Sequence, residues 1–294
     1  MFPDLLNFGG IVIKTYGLFV AVGFLVAMSY LRGQAAERGV SPVFITNLCF
    51  YVLISGLIGS RLFYVVLNWE FYRNNPADVF FIWSGGLVLY GGVIFAAAVG
   101  VFYIIKNKLP LPGILDIAAP ALFLGVAIGR VGCLSAGCCY GMRTHGAWGV
   151  VFSHPMALAP LGIKLHPTQL YESLFCFILF LAGHYFNKWR NMKRPPGNIF
   201  RRIFQTSGDD GSRVGNGVST GDGAPAGLTF FTSLILYSVW RFFIEFVRWD
   251  DRGTKILAMY PSQFIAIVII AFSAGFILYM SLRGTKSRSN LLVL

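Results

Sequence analysis

Three arginines lie inside or at the edge of long apolar runs: Arg61, Arg130 and Arg241. An arginine at mid-bilayer costs roughly 2.5–3.5 kcal/mol on insertion scales, and such residues usually face a protein interior or a water-filled cavity. A guanidinium held in place with some N–H groups free is well suited to bind phosphate. We therefore expect these arginines to converge on a phosphate group. For a single arginine the alternatives are snorkelling to the interface or a buried ion pair.

The segment YSVWRFFIEFVRW places Tyr237, Arg241, Glu245 and Arg248 at i, i+4, i+8 and i+11. Residues at this spacing share one face of a helix. We expect Glu245 to pair with Arg241 or Arg248, which lowers the cost of burying the charge and fixes the guanidinium. The alternative is a row of ion pairs that only holds helices together.

Glycines surround Arg130 in FLGVAIGRVGCLSAGCCYG, and they include Gly132 and Gly141. Small residues let helix backbones approach closely. Beyond Gly132 the helix is expected to break, and broken backbone at membrane depth requires the shelter of protein or a water-filled cavity. In SGGLVLYGG, Tyr90 is expected either to project into that cavity or to belong to an interfacial aromatic belt.

The segment HPTQLYES, residues 166–173, is typical of the start of a helix, with proline at the first helical position. His166, Gln169 and Glu172 would add hydrogen-bonding groups on the same side of the membrane as Arg130 and Arg248. The alternative is simple capping, because a carboxylate in the first turns of a helix is favoured by its dipole.

Three of the five cysteines, Cys133, Cys138 and Cys139, follow Arg130 closely. Their C-x4-CC spacing is not a zinc pattern, so neither a metal nor a cofactor is expected. Structural thiols, or a disulfide from Cys133 to one of the other two, are favoured over catalysis.

The composition indicates a membrane protein. Of 294 residues, 56% are hydrophobic and only 12% are charged, whereas soluble domains carry about 25% charged residues. The expected fold class is an all-α polytopic membrane protein in a single transmembrane domain, residues 1–294. The stretch 206–227, rich in Gly, Ser and Asp, is expected to be a disordered insertion. Seven spans of about 20 residues are expected near 15–32, 44–67, 85–105, 113–132, 167–187, 227–247 and 259–282.

The net charge of +12 is better explained by topology and anionic lipid than by nucleic acid, which is not an expected partner. With seven spans, fourteen basic residues fall on one side of the membrane and seven on the other. The larger set is Arg32, Arg38, Lys106, Lys108, Lys188, Arg190, Lys193, Arg194, Arg201, Arg202, Arg213, Arg283, Lys286 and Arg288; the smaller is Lys14, Arg73, Arg143, Lys164, Arg248, Arg252 and Lys255. The positive-inside rule then predicts an outside N-terminus and a cytoplasmic C-terminus.

Taken in order, the motifs TYGLF, GSRLFY, GGLVLYGG, GRVGCLSAGCCYG, HPTQLYES and YSVWRFFIEFVR resemble those of the prolipoprotein diacylglyceryl transferase family, over almost the whole chain. HPTQLYE and RFFIEFVR are the most specific. The resemblance implies a seven-helix enzyme of the bacterial inner membrane with its N-terminus and active site toward the periplasm. Its partners would be the bilayer, phosphatidylglycerol and the lipobox segment of a preprolipoprotein, whose cysteine thiol receives the diacylglyceryl group as glycerol phosphate leaves.

The resemblance matches Arg130 and Arg241 to two essential arginines of the family, and Tyr16, Gly132, Gly141, Tyr237 and Glu245 to other positions of its site or signature. The expected catalytic residues are Arg130, Arg241, Glu245 and Tyr90. The expected substrate-binding residues are Tyr16, Arg61, Gly132, Gly141, His166, Gln169, Glu172, Tyr237 and Arg248.

This sequence departs from the family pattern at two places. Tyr90 replaces the histidine of the family's HGG motif, and a neutral tyrosine is a poor base at pH 7. Cys133, Leu134, Ala136 and Cys138 replace Asn, Phe, Asn and Glu of the signature. The base would then be His166 or Glu172, or the field of the arginines would suffice. Two other functions stay open: a thiol-redox protein using Cys133, Cys138 and Cys139, and a transporter of lipid or a small solute.

Overall fold

A computed structural model describes residues 4–8, 11–81, 85–192, 226–250 and 259–289. Most of these residues are helical. The helices are α1 (Thr15–Ala36), α2 (Pro42–Leu67), α3 (Trp69–Asn74), a 3-10 helix (Pro76–Phe80), α4 (Leu89–Lys106), α5 (Leu111–Ala136), α6 (Thr168–Met192), α7 (Leu228–Ile244) and α8 (Pro261–Ser289). Two antiparallel hairpins pair β1 (Asp4–Phe8) with β2 (Ile11–Lys14), and β3 (Val150–Val151) with β4 (Lys164–Leu165).

Each of the seven apolar segments predicted from the sequence overlaps one long helix. In the described part of the chain, five of these helices are long and apolar enough to cross a membrane: α1, α2, α4, α5 and α8. Helix α7 is apolar but has only 17 residues. The all-α polytopic membrane class is thus confirmed, while the seven crossings and the direction of the termini stay predictions. The insertion expected at residues 206–227 lies outside the described residues, except for residues 226 and 227.

The chain forms two compact units, one of Met1–Leu31 with Leu115–Leu294 and one of Arg32–Ile114. The expectation of a single domain stays a prediction. In the second unit, α2 and α4 pack closely because Gly59 and Gly91 face each other: a Cβ on Gly91 would lie 2.5 Å from the Gly59 carbonyl oxygen. The glycine after Tyr90 therefore serves helix packing.

In the first unit, glycines bring α1 against α5. A Cβ on Gly23 would lie 2.9 Å from the Gly125 carbonyl oxygen, and one on Gly132 would lie 2.8 Å from the Phe19 Cβ. Small residues at a helix crossing permit such close backbones. The expected packing role is thus confirmed for Gly125, whereas a Cβ on Gly129 would have no atom within 4 Å in the described structure.

Helices α6 and α7 pack through aromatic rings, with Phe175 and Trp240 stacked at a centroid distance of 4.5 Å. Helix α7 meets α8 through Phe231 and Phe276, whose ring centroids are 4.2 Å apart. Offset aromatic pairs at these distances add stabilisation beyond the area they bury. These contacts hold α7, which carries Arg241, at a fixed position.

A buried polar cluster joins α5, α6 and the start of α7. Asp116 accepts hydrogen bonds from the backbone N–H groups of Gly227 and Phe230 and pairs with Arg190 at 3.3 Å. Asn187 donates to the Asp116 carbonyl oxygen and accepts from Thr229. Asp116 therefore caps α7. The placement of Lys188 and Arg190 in a loop was wrong, because both lie in α6, where Arg190 is 2% exposed.

The predicted helical face of Tyr237, Arg241, Glu245 and Arg248 is wrong at its last member. Helix α7 ends at Ile244, and the chain then turns to form backbone hydrogen bonds with the segment after α5. Arg248 forms a β-bridge with Gly141 instead of continuing the helix. Pairing between distant segments overrides the helical pattern at this point.

Candidate functional site

Glu172 of α6 lies at the centre of the charged residues. Its Oε1 is 2.7 Å from Arg130 Nη2 and accepts a second hydrogen bond, also 2.7 Å long, from the hydroxyl of Tyr237. The carboxylate is almost fully buried, with 2% of Glu172 exposed. A buried carboxylate needs such partners, and those that donate to it are fixed in return. Glu172 therefore joins α5 and α7 across α6.

Arg241 reaches the same carboxylate from α7. Its Nη1 is 3.9 Å from Glu172 Oε2, and its Nη2 is 3.3 Å from Glu245 Oε2. The pairing of Arg241 with Glu245 that the spacing predicted is thus present. Among the described residues, the buried Arg241 Nη1 has no hydrogen-bond acceptor. A buried donor without an acceptor is costly in a closed structure, so it favours a ligand at this position.

We call Arg130, Glu172, Tyr237, Arg241 and Glu245 the arginine site. Its two guanidiniums and two carboxylates balance in formal charge, which reduces the cost of placing them among apolar helices. The side chains of Arg130 and Arg241 are 19% and 18% exposed, whereas the two carboxylates are 3% and 1% exposed. The carboxylates therefore lie behind the guanidiniums, and the cations keep an accessible edge for an anion.

Three thiols lie directly beside Arg130. The Sγ atoms of Cys133, Cys138 and Cys139 all lie within 4.8 Å of one another, and we call them the thiol cluster. Arg130 Nη1 donates to Cys139 Sγ at 3.6 Å and to Cys133 Sγ at 4.0 Å. All three cysteines are free thiols, so the disulfide allowed by the sequence is not formed.

Cys139 lies beyond the end of α5, in a backbone conformation with φ of +62°. Hydrogen bonds with the Cys133 and Cys138 thiols, together with the positive charges of Arg248 and Arg130, lower the pKa of the Cys139 thiol well below its usual range. A thiolate at this point would be stabilised by the same cations.

The start of α6 holds the cysteine loop in place. Thr168 Oγ1 donates to the Cys139 carbonyl oxygen at 2.5 Å, and Gln169 Nε2 donates to that of Cys138 at 2.6 Å. Gln169 and Thr168 are buried. The expected substrate-binding residue Gln169 thus contacts the loop, and the sequence interpretation missed Thr168. Its position in HPTQ, next to Pro167, is the one signal that could have drawn attention to it.

Position 141 requires glycine because its backbone lies very close to that of His166. Its N–H donates to the His166 carbonyl oxygen at 2.9 Å, and a Cβ at this position would lie 2.7 Å from the His166 Cβ. His166 Nδ1 is 3.1 Å from the Tyr171 hydroxyl. Arg248 forms a bidentate pair with Asp250 at 2.6 and 3.0 Å. The structure therefore places Gly141, His166 and Arg248 around the loop that carries the thiol cluster.

Helix α1 brings Tyr16 to this region. A Cβ on Gly132 would lie 3.2 Å from the Tyr16 carbonyl oxygen, so the two backbones are close together. Tyr16 is 44% exposed. Its expected role in substrate binding stays a prediction.

Arg61 and Tyr90 belong to the second compact unit. The Arg61 guanidinium donates to five backbone carbonyl oxygens, those of Asp78, Val79, Phe81, Gly85 and Gly86. Because a guanidinium has five N–H donors, all of them are used, which favours a role in shaping this loop over substrate binding. Tyr90 lies in the first turn of α4 and is 43% exposed, and its catalytic role stays a prediction.

Known proteins resemble this chain over nearly its full length. Residues 3–204 match the model of the prolipoprotein diacylglyceryl transferase family. The chain is 31% identical to phosphatidylglycerol–prolipoprotein diacylglyceryl transferase 2 of Clostridium perfringens, covering 94% of each protein. It is 30% identical to the phosphatidylglycerol–prolipoprotein diacylglyceryl transferase of Dehalococcoides mccartyi, covering 98% of this chain and 97% of the relative. The motifs, the arginine site and these matches agree, and the chain belongs to the prolipoprotein diacylglyceryl transferase family.

Proposed function

We propose that this protein transfers the diacylglyceryl group of phosphatidylglycerol to the cysteine thiol of a preprolipoprotein lipobox, forming a thioether and releasing glycerol phosphate. The names of the relatives support this substrate pair. The observation that carries the proposal for this chain is the meeting of Arg130 and Arg241 at one buried carboxylate, while both guanidinium side chains stay partly exposed to an anion.

The reaction needs a cation where the phosphate departs. The acceptor sulfur attacks the glyceryl carbon that bears the phosphate, a carbon–sulfur bond forms, and the carbon–oxygen bond breaks with its electron pair moving to the phosphate oxygen. The leaving group gains negative charge in this step. Guanidiniums fixed in advance stabilise such charge without reorganising, and loss of one donor of this kind typically costs about 10²–10³ in rate.

The other residues of the arginine site position these cations. Glu172 and Glu245 fix the guanidiniums from behind, and Tyr237 fixes Glu172. Tyr16, Gly132 and Gly141 bring the surrounding backbone together, and we include Tyr90 as a residue that orients substrate. The enzyme would act in the bacterial inner membrane through seven crossings, with the arginine site toward the periplasm.

An assay with labelled phosphatidylglycerol and a lipobox peptide tests the proposal. The full-length protein should form the thioether, and Arg130→Ala and Arg241→Ala should each reduce the rate by roughly 10²-fold or more. Arg73→Ala is the matched control, because Arg73 is exposed on α3 outside the site. An Arg241→Ala protein with the wild-type rate would contradict the proposal.

The proximity of the three thiols favours a thiol-redox function as the second candidate. With its cysteines as free thiols, such a protein would reduce a disulfide substrate by thiol–disulfide exchange, become oxidised itself, and lose that activity when Cys139 becomes serine. It would not consume phosphatidylglycerol. The same assay therefore separates the two functions, because only the transferase releases glycerol phosphate.

A further inference from the structure

The thiol cluster has the size of a metal site. Zinc binds thiolate sulfur at about 2.3 Å, so two sulfurs of a tetrahedral site lie about 3.8 Å apart. The Sγ atoms of Cys133, Cys138 and Cys139 lie within 4.8 Å of one another, so small side-chain rotations would close them on one ion. Linear spacing hides this arrangement, because the chain reverses through positive φ values at Gly137 and Cys139.

The surroundings suit bound thiolates. One zinc ion with three thiolates carries a net charge of −1, and Arg130 Nη1 already lies 3.6 Å from Cys139 Sγ. Hydrogen bonds from Thr168 and Gln169 to the carbonyl groups of the loop fix its backbone, as the surroundings of a metal ligand usually do.

Three ligands leave one position of a tetrahedral ion open. In the described residues, no fourth histidine, cysteine or carboxylate joins the group. Zinc sites with three protein ligands and an open position are typically catalytic, whereas structural sites are closed by four. Cys138 and Cys139 are only partly buried, which gives a fourth ligand access.

We propose that Cys133, Cys138 and Cys139 bind one zinc ion whose fourth position takes the acceptor thiol of the lipobox cysteine. The inference rests on the proposed transferase function. It also accounts for Tyr90, which stands where the family resemblance gives a histidine, since a coordinated thiol is deprotonated without a neighbouring base. The cysteines that depart from the family signature then supply the activation that the missing histidine would have given.

The step is balanced without an added base. The acceptor thiol coordinates zinc and loses its proton to water at the accessible side of the cluster. The zinc-bound sulfur attacks the glyceryl carbon, the carbon–oxygen bond breaks, and the electron pair moves to the phosphate oxygen. Arg130 contacts the thiol cluster and pairs with Glu172, which also faces Arg241, so the sulfur would reach the glyceryl carbon beside the cations that stabilise the departing phosphate. The thioether product is a weak ligand and leaves the ion.

Metal analysis of the purified full-length protein tests whether the thiol cluster binds zinc. We expect one zinc per chain, and cobalt substitution should give the ultraviolet absorption of sulfur-to-metal charge transfer. Cys133→Ser, Cys138→Ser and Cys139→Ser should each lower the affinity by about 10-fold or more. Cys49→Ser is the control, because Cys49 lies in α2 outside the cluster. Protein that binds no zinc, binds only copper(I), or holds a disulfide between these cysteines would overturn the inference.

The dependence of the transfer rate on pH tests whether zinc activates the acceptor thiol. A free thiol with a pKa near 8.5 is about 3% ionised at pH 7, so removing zinc should slow transfer by up to roughly 30-fold at pH 7 and have little effect above about pH 9. Adding zinc back should restore a transfer rate that changes little with pH over this range. Zinc-free protein that transfers at the full rate at pH 7 would overturn the inference and leave the proposed function intact. Protein that binds zinc but never transfers lipid would refute the proposed function. It would also refute the activation of the acceptor thiol by zinc.

Discussion

At the scale of single residues, Glu172 is the residue that connects most of the arginine site. The sequence interpretation rested on the arginines and left Glu172 as one substrate-binding residue among several. Its carboxylate accepts hydrogen bonds from Arg130 and Tyr237 and faces Arg241 at 3.9 Å. A group already engaged in this way is better suited to fix two cations than to take a proton from the acceptor. The alternative of Glu172 as the base is therefore the weaker one.

Glu172→Gln tests this role at nearly constant shape. The amide removes the negative charge, so Arg130 and Arg241 lose the carboxylate that both of them face and repel each other. We expect the transfer rate to fall by about 10-fold or more and the free energy of unfolding to fall by about 3 kcal/mol. This is the low end of the range for breaking a buried ion pair, because Arg130 keeps some contact with solvent. Transfer rates and thermal unfolding in detergent measure both effects.

Glu70→Gln provides the matched control for that change. Glu70 is an exposed residue in the first turn of α3, so loss of its charge should alter neither quantity measurably. If Glu172→Gln behaved like Glu70→Gln, the Glu172 carboxylate would not be positioning the guanidiniums, and its central role in the arginine site would be refuted.

At the scale of elements, the sequence predicted the helices well and the loops poorly. The apolar runs placed all seven long helices, because burial in lipid imposes a length and composition that a sequence displays directly. The end of α7 was predicted at residue 247 and lies at Ile244. The backbone of Val247 and Trp249 there pairs with Met142 and Tyr140, and no local signal reveals partners so distant in the sequence.

The thiol cluster shows the same limit. Cysteine spacing excluded a zinc pattern, yet the loop reverses and brings the three sulfurs together. The convergence of Arg130 and Arg241 was predictable, because each had to leave the lipid and the motifs placed both near one end of the helices. The position of the Glu172 carboxylate between them was not predictable, since its i, i+3 and i, i+4 neighbours on α6 include neither arginine.

Glycine substitutions test the contact of α1 with α5. A Cβ on Gly132 would lie 2.8 Å from the Phe19 Cβ, an atom close to the backbone that cannot move aside alone. We expect Gly132→Ala to separate the helices, to cost about 1–3 kcal/mol of stability and to slow transfer, because Arg130 lies two residues away on α5. Thermal unfolding and the transfer assay measure the two effects.

Gly129→Ala is the control on the same helix. A Cβ on Gly129 would have no atom within 4 Å in the described structure, and alanine favours a helix over glycine by about 1 kcal/mol. This variant should match or exceed the wild type in stability. Equal losses in the two variants would mean that the close packing of α1 and α5 is not what Gly132 provides.

At the scale of the whole molecule, the charge distribution is the remaining constraint. The net charge of +12 lies in a chain that is only 12% charged, and the basic residues divide unevenly between the two predicted sides. Burial of Arg190 with Asp116 and of Arg248 with Asp250 removes one residue from each set, leaving thirteen against six. The asymmetry therefore survives without these two buried arginines, and the orientation argument keeps its basis.

Reporter fusions to the full chain test that orientation. A fluorescent protein attached after Leu294 should fluoresce, and alkaline phosphatase attached there should be inactive, because the phosphatase matures only outside the cytoplasm. Phosphatase inserted between Arg143 and Lys164, on the side predicted to be outside, should be active. These residues flank the loop that joins α5 to α6, so the insertion also reports the side on which the thiol cluster opens. Active phosphatase at the C-terminus would reverse the topology and would place the acceptor thiol, the arginine site and the proposed zinc ion in the cytoplasm.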